Sequence, residues 1–187
     1  MKTKDKFLNA SIDLFGSQGF SGTGIKQIVS KAGATWGSVY HFFPDGKDQL
    51  GVESVKLAAE KDNEAFKIAL GSSKSLMAGI ELIFKSEIKR LKKSNYTYGC
   101  AVASIASDVA ASSDDVRKAC SDAFRLWQST ISNAIRDRGV EDKRAEFLSD
   151  VILSTLEGAT LMSRTHRSTE PMENAILMIE LLLKDTD

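Results

Sequence analysis

Apolar residues recur at three- and four-residue spacing from one end of this chain to the other, and the pattern breaks only at glycine, proline and serine-rich points. That spacing predicts helices throughout and no strand. Phe7, Ala10, Ser11, Leu14 and Phe15 share one side of a first helix, from about residue 4 to 18, which Gly19 ends. Ile25, Ile28, Val29 and Ala32 form the apolar face of a second helix, with Thr23 placed to cap it and Gly33 to end it in a left-handed turn. Thr35 can cap a third helix that buries Val39, Phe42 and Phe43 before Pro44 stops it. Two short helices joined by a glycine turn make a helix-turn-helix.

Longer helices follow. Val52, Val55, Ala59 and Phe66 keep helical period from about Lys47 to Leu70, roughly 36 Å of helix at 1.5 Å per residue. Further helices are expected from Ser75 to Lys92, from Cys100 to Ala110, from Ser112 to Arg138, from Asp142 to Arg164, and from Ser168 onward with Pro171 in the first turn. The expected architecture is all-α. A three-helix helix-turn-helix domain over residues 1–48 is joined by a long helix, starting near 47, to a helical ligand-binding and dimerisation domain over 49–187.

The third helix has an unusual outward side. Thr35, Trp36, Gly37, Ser38, Tyr40 and His41 offer hydroxyls, flat rings and one position with no side chain, and no acid occurs from Ala32 to Phe43. Such a surface can approach phosphates and base edges without charge repulsion. Formal net charge is zero, yet it is unevenly spread. Six lysines oppose four aspartates up to Asp48, whereas ten basic residues face fifteen acidic ones from Ser107 onward. A basic head suits a phosphate partner. Lys2, Lys4 and Lys6 form an arm that either reaches along DNA or is an ordinary chain terminus. The cluster Lys89, Arg90, Lys92 and Lys93 reads first as a solvated helix end.

No apolar run approaches the ~18 residues of a membrane span, and the first residues lack the apolar stretch of a signal peptide. The expected location is the cytoplasm, with Cys100 and Cys120 reduced. His41 and His166 lie far apart, and no Cys-x-x-Cys or His-x-x-x-His spacing occurs, so neither a metal site nor a cofactor is expected. No nucleophile elbow or phosphate-binding loop is present, and no catalytic residue is assigned. A thiol at Cys100, near a helix start, is a weaker candidate oxidant sensor.

Residues 4–50 resemble the DNA-binding domain of the TetR family of bacterial transcription repressors. The resemblance lies in Ala10, Leu14-Phe15, Gly19-Phe20, Ile25, Ile28, Ala32-Gly33 and above all the run from Gly37 to Pro44. The family usually has Pro-x-Lys after this run. Pro44-Asp45-Gly46-Lys47 is one residue longer, which resembles the LmrA/YxaF-type branch, as more weakly does the segment from Gly99-Cys100.

The resemblance implies a homodimer on a palindromic double-stranded DNA operator. The DNA contacts it implies come from Thr23, Lys26, Thr35, Trp36, Gly37, Ser38, Tyr40, His41 and Lys47. It implies dimerisation through the last two helices, where Phe147, Val151, Ser154, Gly158, Ala159, Met162, Ile176, Ile179 and Leu183 are the candidates. It also implies a pocket for a small apolar effector, with Phe66, Phe84, Ser104, Phe124, Trp127, Thr130, Thr155 and Met162 as candidate lining. The function expected is that of a repressor released from its operator by the effector. The alternatives are an activator or a DNA-binding protein with no effector.

Overall fold

The computed structural model describes residues 2–109 and 113–184, and every regular element among them is an α-helix. In chain order these are α1 (Thr3–Gln18), α2 (Ile25–Ala32), α3 (Trp36–Phe42), α4 (Gly46–Ser72), α5 (Leu76–Lys93), α6 (Ala101–Val109), α7 (Asp114–Arg136), α8 (Asp142–His166) and α9 (Glu170–Leu183). The expected end of the sixth helix at Ala110 and the start of the seventh at Ser112 lie outside the described residues. No helix among the described residues is long and apolar enough to cross a membrane.

The chain forms two compact units, Met1–Glu60 with Cys100–Phe124, and Lys61–Gly99 with Arg125–Asp187. Helices α4 and α7 each supply residues to both. The boundary therefore does not follow the order of the chain, since α6 and the first half of α7 belong with the N-terminal helices.

In the first unit α1 packs against both α2 and α6. Phe7, Phe15, Ile28, Phe43, Leu50 and Val55 are fully or almost fully buried there, together with Val102, Ile105, Val109 and Val116. Phe7 meets Phe43 edge-on, with ring centres 6.0 Å apart. Gly33 ends α2 with φ 60°. Its N–H donates to Ser30 O, and that of Ala34 to Val29 O, so the last carbonyls of α2 are satisfied as the glycine predicted.

Two local expectations are corrected. Gly24, not Thr23, caps α2, and its N–H donates to the Gln27 side chain at 2.7 Å. The Thr23 hydroxyl turns the other way and donates to Gly19 O. The basic arm is also partly helix: Lys4 and Lys6 lie in α1, and Lys4 pairs with Glu53 of α4 at 2.6 Å while lying over the Phe43 ring.

Phe20 sits between Phe15 and α4. A Cβ added to Gly51 would stand 2.7 Å from Phe20 Cε2, so the ring rests on bare helix backbone. In the second unit α5 packs on α8 and α9, and α8 on α9. Trp127, Phe84, Leu76, Ile80, Leu91, Ile131, Met172 and Ile179 form its core. Ser75 caps α5, accepting from Ala78 N–H.

Gly51→Ala should lower stability by about 1–3 kcal/mol, because the added methyl overpacks Phe20. Thermal unfolding checks this, and an unchanged midpoint would show that the ring moves aside freely.

Candidate nucleic-acid interface

α3 buries Val39 and half-buries Ser38 and Phe42, the latter against Phe7 and less deeply than expected, while Trp36, Gly37, Tyr40 and His41 stay open. Trp36 is 50 % exposed and Tyr40 46 %, and their rings meet edge-on at 6.0 Å. Thr35, Gly37 and His41 are exposed and Ser38 half-buried. Six of the nine sequence-derived contact residues thus lie on α3 or at its N-cap, and all but Ser38 are exposed. The Ser38 hydroxyl donates to Thr35 O at 2.7 Å, which ties the first turn of α3 down. Lys26 is exposed on α2. Thr23 is not on this surface: it is 1 % exposed, and its hydroxyl is bonded internally.

Gly37 is notable for what surrounds it. Beyond its own helix backbone and chain neighbours, no described atom lies within 4 Å of the place a Cβ would take. Its φ is not in the left-handed range. Neither packing nor turn geometry calls for glycine here, and glycine inside a helix costs about 0.5–1 kcal/mol relative to alanine. The gap is available to something outside the chain.

Lys47, second residue of α4, is half-buried with its ammonium 4.4 Å above the centre of the Phe20 ring. Burial draws its pKa below the ordinary lysine value, against the pull of Asp48 and Asp108. The extra residue in Pro44-Asp45-Gly46-Lys47 is absorbed by Gly46 at φ 75°.

The eight candidate effector residues do not form one lining. Phe66 and Trp127 stack obliquely at 6.0 Å, and Thr130 donates to Asn63 at 2.6 Å in the same unit. Phe84 is wholly buried. Ser104 and Phe124 belong to the other unit. Thr155 and Met162 instead line a groove of about 650 Å³ between α8 and α9, with Gly158, Ala175 and Met178. Sequence reasoning missed a charged cluster between α4 and α5. Arg90 reaches both Glu87 and Asp62, and Tyr98 lies over its guanidinium. Glu87 is 8 % exposed, and its Oε1 accepts no hydrogen bond. Burial lifts the carboxyl pKa of both Asp62 and Glu87, with Arg90 opposing.

The α8/α9 candidates divide in two. Phe147, Ser154, Gly158 and Met162 are exposed, and Val151 and Ile176 half-buried. Ala159, Ile179 and Leu183 face the core of their own unit, a correction to the expected interface. In their place Leu161, Leu177, Met178 and Leu181 stand exposed. Along α8 the positions 147, 151, 154, 158 and 161 continue one stripe, the spacing of a helix seam. Cys120 is buried, and burial pushes its thiol up to about 11, so it stays protonated. No group of three or more possible metal ligands occurs among the described residues.

Two short helices joined at a glycine turn, the second exposed and free of acids, together with a helical body, are the architecture of the helix-turn-helix transcription regulators. Residues 7–53 match the profile of the bacterial regulatory proteins of the tetR family, and residues 77–177 that of the LmrA/YxaF-like C-terminal domain of transcriptional regulators. The chain belongs to the TetR family, in its LmrA/YxaF-like branch. It is similar to the HTH-type transcriptional regulator LmrA of Bacillus subtilis, 30 % identical over 182 residues, with 97 % of each chain covered. YxaF of the same organism is 29 % identical over 170 residues, covering 91 % of this chain and 89 % of YxaF. A TetR regulator from Legionella pneumophila shares the fold, with a TM-score of 0.87 at 20 % identity over 97 % of both chains. Proteins of this family are transcription regulators that bind DNA and act as dimers.

The Glu87 carboxyl gives a pH test. A raised folded pKa contributes stability that is fully present below the ordinary value of 4.5 and is lost as pH rises through the folded value. Glu87→Gln should therefore gain on the wild type as pH rises from about 4.5 to 7. Thermal midpoints of both proteins across that range check it; a constant difference would contradict the raised carboxyl.

Proposed function

We propose that this protein is a homodimeric repressor whose α3 enters the major groove of a palindromic operator, and that a small apolar effector releases it. The observation that carries the reading is the open, acid-free face of α3, with the unfilled space at Gly37 at its centre. Trp36, Ser38 and His41 would meet base edges. Thr35, Tyr40 and Lys26 would meet phosphates, and Lys47 would join them by leaving Phe20. Gly37 would admit the sugar-phosphate backbone or a base edge at a distance a methyl forbids.

The exposed stripe of α8 and the outer side of α9 support pairing with a second copy about a two-fold axis, as a four-helix bundle. Two heads so joined would read half-sites about 34 Å apart, one turn of DNA. The Phe66–Trp127 pair supports an apolar effector in the body. Such an effector acts only through its preference for a dimer with wrongly spaced heads. The protein would work in the cytoplasm, where its DNA is, and without catalysis.

Selection of bound sequences from a random DNA pool, followed by fluorescence anisotropy at two salt concentrations, tests the reading. A palindrome should emerge and hold at the higher salt, whereas contacts to phosphate alone fade steeply. Gly37→Ala should raise the unfolding free energy by up to about 1 kcal/mol yet weaken operator binding by about tenfold or more, roughly 1.4 kcal/mol. Equal affinity in that variant would remove Gly37 from the interface. Enrichment of no sequence would sink the repressor reading.

Leu161→Asp should give a monomer in sedimentation, since a charge on the stripe opposes its burial. A dimer that persists unchanged would place the interface elsewhere.

A further inference from the structure

We propose that Asp108, on α6, is a positioning residue for DNA recognition: its carboxylate fixes the α1–α2 turn from which the helix-turn-helix hangs. The proposal rests on the DNA-binding reading above. Residues 19–24 make a tight turn with few bonds of its own. Thr23 N–H donates to Phe20 O at 3.1 Å, and the Thr23 hydroxyl to Gly19 O at 2.7 Å. The Ser21 N–H instead donates to Asp108 Oδ2 at 2.8 Å, across 87 residues of sequence. Gly19, at φ 76°, presents its bare α-carbon to the same carboxylate, and a Cβ there would stand 2.6 Å from Oδ2. The carboxylate therefore lies directly against the turn's backbone, on its solvent side. A backbone N–H bonded to a carboxylate is charge-assisted and roughly twice as strong as a neutral pair.

The turn's position is passed on to the recognition face. Phe20, next to Ser21, rests on Gly51 and under the Lys47 ammonium. α2 begins at Ile25, packs on α1, and hands over to α3 through the left-handed Gly33. No long linker intervenes to absorb a shift. A displaced turn thus displaces Trp36, Tyr40 and His41.

Asp108 also carries a charge, and it is one of the two acids acting on Lys47. As a charge near the head it opposes phosphate, whereas as a fixed acceptor it favours recognition. The two effects have opposite sign, which makes them separable.

Asp108→Asn keeps an oxygen for Ser21 N–H and discards the charge, and Asp108→Ala discards both. The full-length protein is measured by anisotropy against the selected operator and a scrambled duplex, and by amide hydrogen exchange. Asp108→Ala should bind the operator about tenfold more weakly and the scrambled DNA no more weakly than wild type. Asp108→Asn should stay within about threefold of wild type on the operator. The Ser21 amide should exchange about tenfold or more faster in Asp108→Ala, with α8 unchanged. Operator binding by Asp108→Ala as tight as wild type, or tighter, would overturn the proposal, because charge would then be the whole effect. Equal loss on both DNAs would overturn it too, since no positioning is involved. If no DNA sequence is enriched by the wild type, the repressor reading fails and this proposal with it, while faster Ser21 exchange would still record the clamp on the turn.

Discussion

Phe20 can lie against α4 only because position 51 has no side chain. That single close approach ties the exit of α1 to the start of the long helix, and it sets the height at which Lys47 finds the ring. The chain leaves α1 at Gln18, turns through residues 19–24 with Phe20 at its start, and enters α2, so the placing of α2 and of α3 after it begins from this contact. Aromatic rings elsewhere in the unit, Phe7 against Phe43 and Phe15 against Phe20, fill the volume behind it. The head is small, and a core of few large rings makes it sensitive to any one of them.

α3 has to satisfy two demands with seven residues. Val39 anchors it to the core, with Phe42 packed on Phe7 as a second hold. The outward residues find few partners within the chain: Trp36 meets Tyr40, and Ser38 meets Thr35. Exposed aromatic surface and a glycine in a helix both cost stability, and neither is repaid by contacts inside the molecule. That imbalance supports the proposed role of α3 at the DNA.

The second unit carries a different imbalance. Glu87 and Asp62 share one guanidinium in a poorly hydrated place, so their charges are under-compensated and their carboxyls hold protons more readily than in water. On its outer side, α8 and α9 leave Phe147, Leu161, Leu177 and Leu181 in solvent. A contiguous apolar face of this kind is unusual on a lone monomer, and it fits the dimeric habit of the family.

The sequence by itself determined the helices, because a 3.6-residue period and glycine, proline and serine stops are local facts. It determined the helix-turn-helix, since Gly33 between two apolar faces admits little else, and it placed Val39 and Phe43 inside, whereas Phe42 and Ser38 are only half-buried. What it left undecided all depends on neighbours distant along the chain. Thr23 looked like a cap, yet a carbonyl four residues back competed successfully for its hydroxyl. Ala159, Ile179 and Leu183 looked like interface, but α8 and α9 are apolar on two sides, and periodicity does not say which side meets α5 and which meets solvent. Asp108 carried no signal at all, being one more acid on a short helix. Only the tertiary structure brings α6 to the α1–α2 turn, 87 residues away in sequence, because the hydrogen bond there is made by a backbone N–H whose partner no local pattern encodes.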